Sequence, residues 1–323
     1  MTAALLHYSR LSRISDSPST SRCMFVVNTL STSLSYCLSR TLGNSIETCL
    51  IVIGSSILLS DHGRYGKALQ SIGLHLAAAL AVIAMYIRPT SAAVWLPLFI
   101  INSFITQHTS TMSYYRLMHL RWVKHYLPVG MLTLYLCILI DSYYYQQFTL
   151  SPFNFYVFNV LRDYASFFGT KSWHWYFTEG FLVVLGFYCP IFYYGLCRCV
   201  NSHDIPPMIK ALVGVSLLYA CVLTGATAHK EHRFLLPCLP FLHLLIGRMV
   251  HDIAKTLSMP SEHSRHKGDN TGRISPRVVM GISVSLLLLQ CCCLWFLIRY
   301  HQVLYCTLCA VVYCSLSPSP VGM

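Results

Sequence analysis

Gly225–Leu242 reads GATAHKEHRFLLPCLPFL, and within it His229, Lys230, Glu231, His232 and Arg233 follow one another between two oily stretches. A charge taken out of water without a partner is expensive. Five ionisable groups in succession therefore need either solvent or a task. The stretches on either side, Ile209–Ala228 and Phe234–Val250, suit hydrocarbon rather than a soluble core. The segment reads as a polar junction between two membrane spans.

Composition extends that reading to the whole chain. Of 323 residues, 55% are hydrophobic and only 11% charged, and mean hydropathy is +0.54. Soluble domains carry roughly 25% charged residues, so this chain cannot cover a water-facing surface with polar groups. The formal charge of +12 does not indicate nucleic acid. A nucleic-acid binder gathers its cations into one stripe or helix, whereas here they are scattered singly among short loops. The 15 cysteines include Cys291, Cys292 and Cys293 inside an apolar run. With no CxxC pair recurring at zinc spacing, they read as small helix residues, and no metal or cofactor is expected.

Apolar runs recur at Ile46–Leu59, Ile72–Ile87, Ala92–Ile105, Tyr126–Ile140, Phe181–Leu196, Ile209–Ala228, Phe234–Val250 and Val278–Ile298. They predict an all-α polytopic membrane protein of about 8 transmembrane helices, since backbone groups in lipid must be satisfied within their own segment. Val26–Leu38 offers material for a further helix, and Met1–Arg22 lacks the continuous apolar core of a signal peptide. If the spans alternate, one set of loops carries 13 Lys and Arg and the other 7. The positive-inside bias then places Asp141–Gly180 and the 229–234 segment on the non-cytoplasmic face. The basic, Ser-rich stretch 251–277 falls on the cytoplasmic side.

Three groups of residues carry candidate chemistry. His229, Lys230, Glu231 and Arg233 can hold a phosphate, with Lys and Arg supplying charge and Glu231 orienting them; they can equally snorkel into headgroups. Gly169–Phe181, GTKSWHWYFTEGF, is either an interfacial aromatic belt or a place where sugar rings stack on Trp173, Trp175 and Tyr176 beside His174. Arg88 ends a span just before Pro89, where it snorkels or meets an anion. The chain has no Walker loop, GxSxG or HExxH, and no adjacent acidic pair.

HKEHRFLLPCLP (His229–Pro240) resembles the His-Lys-Glu-x-Arg-Phe hallmark of the dolichol-phosphate-mannose-dependent mannosyltransferases, glycosyltransferase family 22. Within that family, Ser151–Phe181, Ser39–Thr48 (SRTLGNSIET) and Arg88–Leu98 (RPTSAAVWLPL) are most similar to the branch that builds the third mannose of the glycosylphosphatidylinositol (GPI) anchor. The resemblance implies a GT-C-type helical bundle with lumenal loops in the endoplasmic reticulum membrane. It also implies an inverting transfer of α1,2-mannose from dolichyl-phosphate mannose to the GPI precursor. On that reading His229, Lys230, Glu231, Arg233 and Arg88 bind the donor phosphate, and Trp173, His174, Trp175 and Tyr176 shape a sugar or lipid pocket.

The resemblance covers about Ser39 to Gln302. Residues 1–38 and 303–323 diverge, the family's acidic first lumenal loop finds no match, and the chain reads as truncated at both ends. The catalytic base is therefore left unassigned. An N-glycan α1,2-mannosyltransferase, and a catalytically incompetent membrane paralogue or fragment, are the alternative readings.

Overall fold

The computed structural model of the chain describes residues 17–31, 33–34, 43–60, 67–107, 114–201, 204–226, 228–258 and 292. Regular structure among them is entirely helical. Among the described residues, five helices are long and apolar enough to cross a membrane: Leu69–Ile87, His119–Tyr145, Tyr176–Asn201, Pro207–Ala226 and His232–Thr256. Gly43–Leu58 and Pro89–Phe104 are shorter apolar helices. Each of the first seven apolar runs thus has its helix, and the protein is an all-α, multi-pass membrane protein. The eighth run, Val278–Ile298, lies outside the described residues apart from Cys292, as does the tail after it.

The first helix, α1 (Pro18–Leu30), begins earlier than the apolar residues alone suggest. Ser17 caps it, its Oγ accepting from the Thr20 amide at 3.2 Å, and Pro18 occupies the first turn, where a missing N–H does no harm. Then come α2 (Gly43–Leu58), α3 (Lys67–Ile87), α4 (Ala92–Gln107) and α5 (Tyr114–Arg121). A wider turn leads into α6 (Leu127–Tyr145). The 141–180 region is not an open loop. It is a series of short helical pieces: α7 (Ser151–Tyr156), the turns Val157–Leu161, Tyr164–Phe168 and Tyr176–Gly180, then α8 (Phe181–Leu185). After α9 (Cys189–Asn201) and α10 (Pro207–Ala226), the tight helical turn His232–Cys238 feeds α11 (Leu239–Ser258).

Helix α11 is the centre of the bundle. Phe241, Leu242, Leu244, Leu245 and Ile246 are fully buried, among α1, α9 and α10. Helix α1 crosses α11 so closely that a Cβ on Gly247 would overlap the Met24 backbone. Small residues permit such approach where lipid supplies no hydrophobic drive between helices. Helix α11 also reaches into the stretch read as the 251–277 loop. Arg248 Nε pairs with Asp252 one turn on at 3.1 Å, and His251 Nε2 meets Ser19 Oγ on the α1 side at 3.0 Å. Those contacts carry the helix to Ser258, beyond where hydropathy fades.

At the periphery α6 lies against α3, contributes no buried residue and leaves Met131 and Ile140 more than half exposed, as a lipid-facing helix must. Arg233 and Arg248 are separated by about 25 Å of helical rise, at about 2.0 Å per residue through the tight turn and about 1.5 Å per residue along α11. The bundle therefore has two distinct polar ends. Arg198, Asp204, Arg248 and Asp252 gather at one; Arg88, the 169–180 residues and the 229–234 segment gather at the other.

Candidate functional site

The site at the second end is assembled from four parts of the chain, beginning with the end of α3. Arg88 precedes Pro89, and the proline ring excludes the helical conformation from the residue before it. Arg88 is accordingly extended, with φ −143° and ψ 105°, and its side chain leaves the α3 direction to reach α2. There its Nε lies 3.1 Å from Glu47 Oε2, and its Nη1 donates to Asn44 Oδ1 at 3.0 Å. Asn44 and Glu47 are three residues apart, so a helix presents both on one face. Glu47 is fully buried. Its Oε1 accepts from the hydroxyls of Ser91 and, at 3.3 Å, of Tyr219.

The open face of the Arg88 guanidinium meets the next part. Its carbon stands 4.7 Å from the centroid of the Phe234 ring, and Arg233 approaches the same ring at 5.8 Å. Phe234 thus joins α3 to the 229–234 segment. Within that segment Glu231 is the hub: Oε1 accepts from Arg233 Nη2 at 2.8 Å and faces His229 Nε2 at 2.9 Å, while Oε2 pairs with Arg233 Nε. The segment's charges are therefore organised as a network rather than displayed singly.

Lys230 differs from its neighbours. It is buried, and its ammonium donates to the Lys171 carbonyl at 3.5 Å. Desolvation pushes its pKa below the usual lysine range, because burial penalises the charged form. Two further bonds fasten this segment to the 169–180 residues: the Lys171 amide donates to the Ala228 carbonyl at 3.1 Å, and His229 Nδ1 lies 2.9 Å from the Gly169 carbonyl.

The aromatic run divides between two environments. Trp175 is buried, its indole N–H donating to Glu179 Oε2 at 2.7 Å and its ring 4.6 Å from His232. Tyr176 is fully buried within electrostatic reach of Arg88 and Glu231. Trp173 is 73% exposed, stacked edge-on against His174, which is also exposed. The structure thus gathers Arg88, His229, Lys230, Glu231, Arg233, Trp175 and Tyr176 at one end of the bundle. Trp173 and His174 turn outward on the rim.

Sequence reading did not select Glu47, Asn44, Ser91 or Tyr219. The available signal was a carboxylate inside an apolar helix, which is expensive and points to a partner; the partner itself is supplied only by the fold. Arg88 is balanced by Glu47, and Arg233 by Glu231, so these arginines contribute directed donors more than net charge. The arrangement suits an anionic group held by oriented N–H donors beside aromatic surface.

The sequence matches the model of the Alg9-like mannosyltransferase family over residues 3–316. Among similar proteins, human GPI alpha-1,2-mannosyltransferase 3 is 34% identical over 212 residues, covering 66% of this chain and 34% of the relative. The Bos taurus protein of the same name is 33% identical over 226 residues, covering 70% and 38%. GPI mannosyltransferase 3 of Drosophila melanogaster is 32% identical over 202 residues, covering 62% and 33%. The chain spans about a third of the length of the curated relatives it matches. No solved structure matches it.

Proposed function

The chain belongs to the Alg9-like mannosyltransferase family, and from that premise we propose that it serves the transfer of mannose from dolichyl-phosphate mannose to the GPI-anchor precursor. The linkage made is the α1,2 bond of the third mannose, and the site faces the lumen of the endoplasmic reticulum. The names of the relatives similar to it favour the GPI acceptor over an N-glycan one.

In an inverting transfer the acceptor hydroxyl attacks the anomeric carbon as the bond from that carbon to the phosphate oxygen breaks on the opposite face. The hydroxyl proton passes to a base, and dolichyl phosphate leaves carrying the negative charge of the broken bond. The chemical demand on the protein is to stabilise that developing charge with groups already in place. Lys230 supplies the ammonium, Arg233 and Arg88 supply oriented guanidinium donors, and His229 and Glu231 fix Arg233. Trp175 and Tyr176 wall the site, with Trp173 and His174 at its rim for the sugar or lipid.

One observation carries the reading: Arg88, the 229–234 segment and the Trp175–Tyr176 pair, distant in sequence, converge at one end of the bundle. The test supplies the membrane-reconstituted full chain with dolichyl-phosphate mannose and a GPI precursor bearing two mannoses. Conversion to the three-mannose product is the expected result. Mannose transfer only to a lipid-linked N-glycan precursor, or to neither acceptor, overturns the assignment.

A further inference from the structure

We propose that Glu47 is a positioning residue for this site: it clamps the Arg88 guanidinium against Phe234 and so fixes where the 229–234 segment presents Lys230 and Arg233. The inference rests on the proposed phosphate site, and it adds a residue outside the motif that defines that site.

The geometry runs in one direction. Ser91 and Tyr219 both donate to Oε1 of Glu47, which sets the rotation of the carboxylate and leaves Oε2 facing Arg88 Nε. Asn44 holds Nη1 of the same guanidinium. With two of its nitrogens held by α2, the guanidinium is fixed in place, and its carbon lies over the Phe234 ring, 4.7 Å from the centroid. Phe234 is in turn joined to the network, since its amide donates to the Glu231 carbonyl at 3.2 Å and its ring lies beside both Arg233 and His229. A displacement of Arg88 therefore reaches Lys230 and Arg233 through Phe234.

The energetics argue against a purely stabilising role. A fully buried ion pair is weak evidence for stability, because desolvation can exceed the attraction, and apolar replacements are often neutral or stabilising. This pair is also imperfectly satisfied: Asn44 Nδ2, Glu47 Oε2 and Arg88 Nε are buried without a hydrogen bond, the Arg88–Glu47 contact being an ion pair whose alignment falls short of one. Packing alone would be better served by leucine. What the cluster provides is a cation held in one place.

The test uses the full chain in lipid nanodiscs, as wild type, Glu47→Gln, Arg88→Gln and the double variant. Two quantities are read: amide hydrogen exchange of His229–Phe234 against the α10–α11 core, and KM and kcat with dolichyl-phosphate mannose. Glu47→Gln is expected to speed exchange in His229–Phe234 and raise KM for the donor by roughly tenfold, in keeping with a lost charged hydrogen bond. In the Arg88→Gln background the Glu47 change is expected to add nothing, since Glu47 acts through Arg88. Wild-type exchange and KM in Glu47→Gln, or an undiminished Glu47 effect when Arg88 is already absent, overturns the proposal. If Glu47→Gln fails to fold because Arg88 is stranded, the double variant decides. It must fold and exchange like Arg88→Gln, and wild-type exchange in it refutes the role. A wild-type chain that transfers no mannose defeats the functional reading, while the exchange measurement still decides the clamp.

Discussion

The Arg88 guanidinium lies over the Phe234 ring, its carbon 4.7 Å from the ring centroid, and this contact ties the end of one membrane span to the charged junction between two others. A lysine at position 88 keeps the charge but loses the planar group that both stacks on Phe234 and spans Glu47 and Asn44. Arg88→Lys is expected to reduce mannose transfer by at least about tenfold, the equivalent of a stacked, partly desolvated cation contact with its charged hydrogen bonds. Phe234→Leu, which preserves bulk without the ring quadrupole, is expected to lose less. Initial rates with both variants at equal folded amounts check this.

Burial of Lys230 makes a pH-dependent prediction. Its folded pKa lies below the ordinary lysine value because desolvation disfavours the ammonium. In the proposed role the ammonium is the form that holds phosphate, so donor binding is expected to weaken as pH rises through that lowered value, sooner than for an exposed lysine. Stability moves the other way: above the folded pKa the unfolded chain binds more protons, so this group's contribution rises with pH. Lys230→Arg remains charged and should shift the alkaline fall in donor affinity upward. A pH series of donor KM, paired with melting temperatures, separates the two effects.

Two tryptophans flanking His174 should respond differently to truncation. Trp175 is buried with its indole N–H bonded to Glu179, so Trp175→Ala is expected to destabilise the fold by roughly 3–5 kcal/mol. Trp173 is 73% exposed, and Trp173→Ala should change stability by no more than about 0.5 kcal/mol while weakening donor or acceptor affinity. Denaturation and KM measured on each variant read the contrast.

These residues also show what sequence makes legible. The cluster at 229–233 stands out because charge between two apolar runs demands an explanation, and the structure places its segment beside Arg88 and the 169–180 residues. Glu47 does not stand out in the same way. It is a lone acid in an apolar helix, and its meaning depends on Arg88, which approaches only because Pro89 turns that residue out of α3. The aromatic run was legible as composition but not as direction. Consecutive residues entering a helical turn point about 100° apart, so Trp175 and Tyr176 enter the core while Trp173 and His174 face out. Helix α1 was obscured for another reason: its start is set by the Ser17 cap rather than by hydrophobicity, and its partner, the Gly247 face of α11, is far along the chain.

The proposed role of Lys230 and Arg233 is a joint one: together they hold the phosphate that departs from the sugar. Its most direct test is the single-turnover rate of the reconstituted full chain carrying Lys230→Ala and Arg233→Ala, with folding verified by its melting profile. Loss of mannose transfer by at least about a hundredfold, as removal of transition-state charge stabilisation of roughly 3 kcal/mol implies, is the predicted result. A folded double variant that turns over at the wild-type rate would contradict it.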